Sequence, residues 1–97
     1  MKQIILKDNV KDTYTNAEGA SLSIQLKEFI KSGERIELSL SNSTPISSSF
    51  FNSSFGDLIE TFGYEAVREN IKITGVTSSQ AQLLKGYFDA YKDRSHC

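Results

Sequence analysis

The residues best suited to chemistry lie together in the middle of the chain. Ser41, Asn42, Ser43 and Thr44 precede Pro45 and Ile46; then come Ser47, Ser48 and Ser49, with Phe50 opening an apolar periodic run. This order predicts a strand end, a loop, and a hydroxyl cluster at a helix start. The first turn of a helix carries N–H groups that have no partner inside the helix. A Ser side chain satisfies one of them as a cap. The same N–H groups, together with the helix dipole, favour a phosphate. A Ser at this place is therefore a cap, an anion ligand or a phosphorylation site. Three in a row let one cap while another stays exposed.

Other chemistries find less to work with. A serine nucleophile needs a base within reach and a third group to orient that base. His96 is the one His, and it sits beside the one Cys, Cys97, in a stretch (residues 93–97) that reads as a disordered tail. There is no Gly-x-Ser-x-Gly elbow and no phosphate-cradling glycine motif. Asp57 and Glu60 stand at helical spacing, a pattern that reads as solvated surface. A closed zinc site takes about four ligands, mostly Cys and His, more than the chain holds. The expectation is a protein that is not an enzyme, with no catalytic residue, no metal and no cofactor.

The elements that must position the hydroxyl cluster come from a chain of 97 residues, read as one domain over residues 1–97. It is 38% hydrophobic and 24% charged, which suits a globular domain with its own core. Eleven Lys and Arg against twelve Asp and Glu leave a net charge of -1. That charge gives no field to draw in a polyanion, so nucleic acid is not an expected partner. It also argues against a polybasic membrane anchor. No apolar run approaches the roughly 20 residues of a membrane span. The expected location is cytoplasmic.

Residues 2–7 read as a strand, and residues 10–16 as a polar loop or a weak edge strand. Residues 17–32 read as a helix. Leu22, Leu26, Phe29 and Ile30 form its stripe, Ile24 widens it, Asn16 or Ser21 is the N-cap, and Gly33 is the stop. Residues 35–41 alternate cleanly: Ile36, Leu38 and Leu40 face one way, Glu37, Ser39 and Ser41 the other. Residues 50–62 are helical, with Phe51, Phe55, Leu58, Ile59 and Phe62 as the apolar stripe; Gly56 within it would allow close packing on a sheet. A helical turn over residues 64–70 and a strand over 70–74 follow. A last helix runs over 80–92, capped by Ser78 or Ser79, with Leu83, Leu84, Tyr87, Phe88 and Tyr91 buried. Strands alternating with helices predict an α/β fold: a small mixed sheet of three to four strands with helices packed on it. Antiparallel pairing would enter at the edge that the first strand and residues 10–16 supply.

The central segment resembles the core motif of STAS domains, named for sulfate transporters and anti-sigma-factor antagonists. Those carry a strand ending in Asp-x-Ser-Gly-Val, a loop, and Asp-Ser-Ser-Gly at a helix start. It is more similar still to a STAS-like family of bacterial domains of unknown function. Ile46-Ser47-Ser48-Ser49-Phe50, Phe55-Gly56-Asp57-Leu58, Phe62-Gly63-Tyr64-Glu65 and the strand Ile71-Lys72-Ile73 carry that similarity. Ser39 stands where STAS domains have the strand-end Asp, Asn42-Ser43 where they have Gly-Val, and Ser47 where an Asp precedes the phosphorylated Ser. Ser48 matches the phosphoacceptor.

The resemblance implies a STAS-like fold and a non-catalytic regulatory module. Such a module would contact a signalling partner, a kinase-type ATPase or similar, through residues Ser41, Asn42, Ser43, Thr44, Ser47, Ser48 and Ser49. Phosphorylation of Ser48 would switch the contact. The alternative is a small phage- or defence-related inhibitor of a protein or nucleic-acid machine. An exposed edge strand would also suit a homodimer.

Overall fold

The alternation over residues 35–41 holds in space. The computed structural model describes residues 2–41 and 46–94, the side chains of Asp93 and Arg94 excepted. Strand β2 (Ile36–Ser39) is the centre of a three-stranded sheet, with β1 (Lys2–Ile5) on one side and β3 (Ile71–Thr74) on the other. Both pairs are parallel: Ile4 lies beside Leu38, and Leu38 beside Ile73. The α/β class and the three strands are as expected, but the sheet is not mixed. The stretch expected to add an antiparallel edge folds otherwise. Leu6 is drawn fully into the core at the start of a short helix, α1 (Leu6–Asn9), and the Asn9 side-chain amide donates to the Ile5 carbonyl. The chain thereby turns away from the sheet before a hairpin can form.

Parallel neighbours require crossover connections, and helices supply them. Between β1 and β2 runs α2 (Asn16–Lys31). Its N-cap is neither Asn16 nor Ser21 but Thr15, whose hydroxyl accepts from the Glu18 N–H at 3.3 Å. It stops at Gly33, as expected. There φ is 77°, the Gly33 N–H donates to Ile30 and the Glu34 N–H to Phe29, which closes the last turn on its own carbonyls.

Between β2 and β3 lie α3 (Ser48–Phe51), a π-helical stretch (Asn52–Gly56), α4 (Asp57–Phe62) and α5 (Tyr64–Asn70). The first three form one continuous helix over residues 48–62. Its buried residues pair off at steps of four: Phe50, Ser54 and Leu58 in one row, Phe51, Phe55 and Ile59 in the next. A regular helix of 3.6 residues per turn would rotate these rows off the core. The wider π turn keeps them facing it. Ser54 is fully buried there and donates to the Phe50 carbonyl at 2.8 Å. Gly63, at φ 94°, breaks the chain between α4 and α5.

The last helix, α6 (Ser78–Arg94), begins earlier and runs further than residues 80–92. Thr77, not Ser78 or Ser79, closes its start: the Gln80 N–H donates to the Thr77 hydroxyl, and the Thr77 N–H to the Gln80 side chain. The expected disordered tail gives way to helix at residues 93–94, and residues 95–97 lie outside the described part.

The buried strand residues Ile4, Ile36, Leu38 and Ile71 all point to one face, where they join one core with Leu22, Leu26, the three Phe rings at 50, 51 and 55, Leu84 and Tyr91. The opposite face carries Gln3, Ile5, Glu37, Ser39, Lys72 and Thr74, none of them buried. Two stripe residues expected to be inside are not: Ile24 is 65% exposed and Leu83 is 37% exposed. Leu83 lies at the rim of its helix face, and Ile24, two residues on from Leu22, lies on the side of α2 away from the buried Leu22–Leu26 row.

Candidate functional site

The hydroxyl cluster lies where the parallel strands end. At the end of β2, the Ser39 hydroxyl donates to the Ser41 hydroxyl at 3.1 Å, and the Ser41 N–H donates back to Ser39 at 3.3 Å. The Leu40 N–H bonds the Thr74 carbonyl at 2.9 Å, extending the ladder by one residue. Gly75 follows at φ 69°, packed so closely that a Cβ there would collide with the Ser41 hydroxyl. Ser41 itself is exposed. Asn42, Ser43 and Thr44, the candidates at the centre of the loop, lie outside the described residues.

The three serines after the loop divide their roles. Ser47 is the cap: its hydroxyl accepts from the Phe50 N–H at 3.1 Å and donates to the Tyr14 carbonyl at 3.0 Å, while its own N–H bonds the Thr13 carbonyl. Ser48 and Ser49 occupy the first turn and are exposed. So one serine ties the helix start to residues 13–14 and two remain open to solvent.

The partner segment of Ser47 was not among the candidates. Its Tyr14 is 65% exposed. Asp12 shapes this segment: its carboxylate accepts from the Tyr14 N–H, the Thr15 N–H and the Thr15 hydroxyl at 3.1, 2.9 and 2.8 Å. Partial loss of solvation raises the Asp12 pKa, but the bonds from Thr15 and Tyr14 outweigh it and leave the carboxyl below its ordinary value. A tyrosine in a polar stretch, with Val10 as the one other large apolar residue of residues 10–16, was the available sign that this side chain would not be core. Tyr64, by contrast, is buried, with the Arg68 guanidinium over its ring.

A second polar set sits between α2 and α4. The Ser23 hydroxyl donates to the Asp57 carboxylate at 2.6 Å, and Lys27 pairs with the same oxygen at 2.8 Å. The bond from Lys27, then that from Ser23, holds Asp57 below its ordinary pKa. A carboxylate so stabilised is a poor base, and Ser23 is only 2% exposed. This set clamps two helices. Asp57 is therefore not the free surface carboxylate that its spacing from Glu60 suggested. Among the described residues, no group of three or more His, Cys, Asp or Glu side chains could hold a metal ion. Nor is any helix among them long and apolar enough to cross a membrane.

The strands alternating with helices and the serine-capped helix after the central strand fit the STAS resemblance, though the sheet is parallel and not mixed. The family model described as a STAS-like domain of unknown function (DUF4325) matches residues 18–81, and the chain belongs to that family. The match runs from the first turn of α2 to the first turn of α6. It takes in both ends of the candidate loop and leaves β1 and most of α6 outside. No curated protein and no solved structure matches the chain.

Proposed function

We propose that the protein is a non-catalytic regulatory module, acting in the cytoplasm, that docks a signalling protein through Ser41, the residues 42–44 that follow, and the helix start at Ser47, Ser48 and Ser49. A kinase-type ATPase is the kind of partner the STAS resemblance suggests. The observation that carries this reading is the split among the serines. Ser47 is consumed as a cap, which leaves Ser48 and Ser49 exposed in the first turn of a rigidly anchored helix. Tyr14 stands out from the segment to which Ser47 is bonded, and an exposed aromatic on a fixed backbone is a common anchor in protein interfaces.

Ser48 is the position for a charge switch. A phosphate there adds about -1.5 to -2 charges. At a helix start that charge is favourable to the helix itself, so modification would change what docks without unfolding the domain. The test is a tagged pull-down from the native host with wild type and Ser48→Asp side by side, both checked by circular dichroism. The expected result is a signalling protein retained by wild type and lost with Ser48→Asp. The same partner on both baits would remove the switch. A partner that also survives Tyr14→Ala and Ser49→Arg would place the contact elsewhere.

A further inference from the structure

A second surface, independent of the loop, lies along β3. This strand pairs only with β2, so it is an edge. The Thr74 carbonyl accepts from Leu40 of the β2 side. In an extended strand successive residues direct their backbone groups to opposite sides, so Lys72 and Thr74 face β2 while Ile71 and Ile73 face outward. The Ile71 N–H is taken by the Val67 carbonyl at the end of α5. The N–H and C=O of Ile73 and the C=O of Ile71 have no backbone partner among the described residues.

Beside this edge is a groove of about 720 Å³, floored by Ile71, Ile73 and Val76 and roofed by Leu84 and Phe88 of α6. The groove thus runs between β3 and α6. Edge strands with open backbone groups are templates for a further strand.

The sheet's own rows specify what that strand would carry. On the buried face the rows read Ile4, Leu38, Ile73 and Ile36, Ile71, so the next residue in each row meets apolar neighbours under α6. On the open face Glu37 lies beside Lys72, and the next position beyond Lys72 is unfilled. Opposite charges side by side across strands are favourable and like charges are not. The groove is also lined by Arg35, Arg68 and Lys85 against Glu69 and Asp89, so with Lys72 its balance is positive by two. A second copy pairing through its own β3 would set Lys72 and Lys85 close to their counterparts, which disfavours self-association. We propose that the β3 edge accepts an extended segment of a protein partner whose residues alternate between apolar and acidic.

The probe is an end-capped peptide of about ten residues alternating valine and glutamate, compared with one alternating valine and lysine and with a valine–glutamate peptide N-methylated at every second residue. Binding is read by fluorescence anisotropy and by amide protection in NMR spectra of the whole chain. The expected result is binding of the valine–glutamate peptide with new protection at the Ile73 amide. Affinity should be at least about tenfold lower for both control peptides and for the Lys72→Glu/Lys85→Glu variant. Ile73→Pro, which removes the outward donor and is compatible with an edge, should abolish binding. If that variant does not fold, the charge reversal at two exposed positions still decides. Equal affinity for all three peptides overturns the proposal. So does protection at Gln3 and Ile5 of the β1 edge instead, a peptide-free dimer that protects Ile73, or no binding at all.

Discussion

The central helix, residues 48–62, is held on its two sides by different means. Against α2 it packs backbone to backbone. A Cβ at Gly19 would stand 2.6 Å from the Phe50 carbonyl oxygen and 2.8 Å from the Ser53 Cβ. The Ser23–Asp57–Lys27 set bolts the same seam. Against α6 the spacers are rings. Phe51 lies within 4.9–5.8 Å, centroid to centroid, of Phe55, Tyr87, Phe88 and Tyr91. Tyr91 then donates to the Asn52 side chain at 2.8 Å. A seam set by backbone contact has one solution, because neither backbone can give way. A seam set by rings holds its helix at a distance and adapts by rotamer.

The largest test of this contrast is Phe51→Ala. Truncating a buried phenylalanine costs about 3–5 kcal/mol, a large share of the roughly 5–15 kcal/mol that stabilises a typical domain. Urea titration should show that loss, and hydrogen exchange should show α6 loosening more than α2. Uniform loosening would erase the distinction between the seams. Next comes Gly19→Ala. Alanine is the better helix former by about 1 kcal/mol, yet the collision with the Phe50 backbone should leave a net loss of about 1–3 kcal/mol in the same titration. Gly56→Ala is the sharper half of the pair. Its Cβ would collide with the Tyr91 hydroxyl and, at 2.7 Å, with the Cζ that carries it, the outer end of a ring on a rotatable side chain. That ring can swing aside, and the helix gain offsets the lost Asn52 bond, so the net change should stay within about 1 kcal/mol. If Gly56→Ala costs more than Gly19→Ala, the ring seam is the rigid one.

The smallest effect is electrostatic. Asp57 has a folded pKa below its ordinary value because of Lys27 and then Ser23. Its contribution is therefore present above the unfolded pKa and disappears as pH falls through the folded value. Asp57→Asn should destabilise at neutral pH by no more than about 1 kcal/mol, since the carboxylate side chain is 42% exposed. The gap between variant and wild type should close on acidification below about pH 4. A gap that persists well below that pH would mean that the side chain bolts the seam by shape rather than by charge.

Much of this was legible in the chain. The alternation from Ile36 to Leu40, the stop at Gly33, and the burial of Phe51 and Phe55 follow from local pattern, and the structure keeps them. The division of labour among Ser47, Ser48 and Ser49 was also foreseeable, because a helix start needs only one such cap. What failed was what depends on a distant partner. Gly56 packs against Tyr91 of α6 rather than against the sheet, and Gly19 meets Phe50; no local signal carries those contacts. Two signals were present and passed over: Thr15 with Glu18, and Thr77 with Gln80, both at the spacing of a hydroxyl cap and its acidic or amide neighbour. The turn at Leu6–Asn9 was hidden because β-branched residues precede it and pattern alone extends the strand.

The two ends of the candidate loop are fixed independently of what lies between them. Ser41 is pinned against Gly75 and Ser39, and Ser47 against Thr13 and Tyr14. Where anchors are set by the scaffold, the closure entropy of the connecting segment depends only weakly on its length, about 0.6 kcal/mol per doubling. Replacing residues 42–45 with eight of unrelated sequence should therefore lower the urea midpoint only slightly. Under the docking proposed above, the same exchange would change which partner is retained while the fold stays as it is.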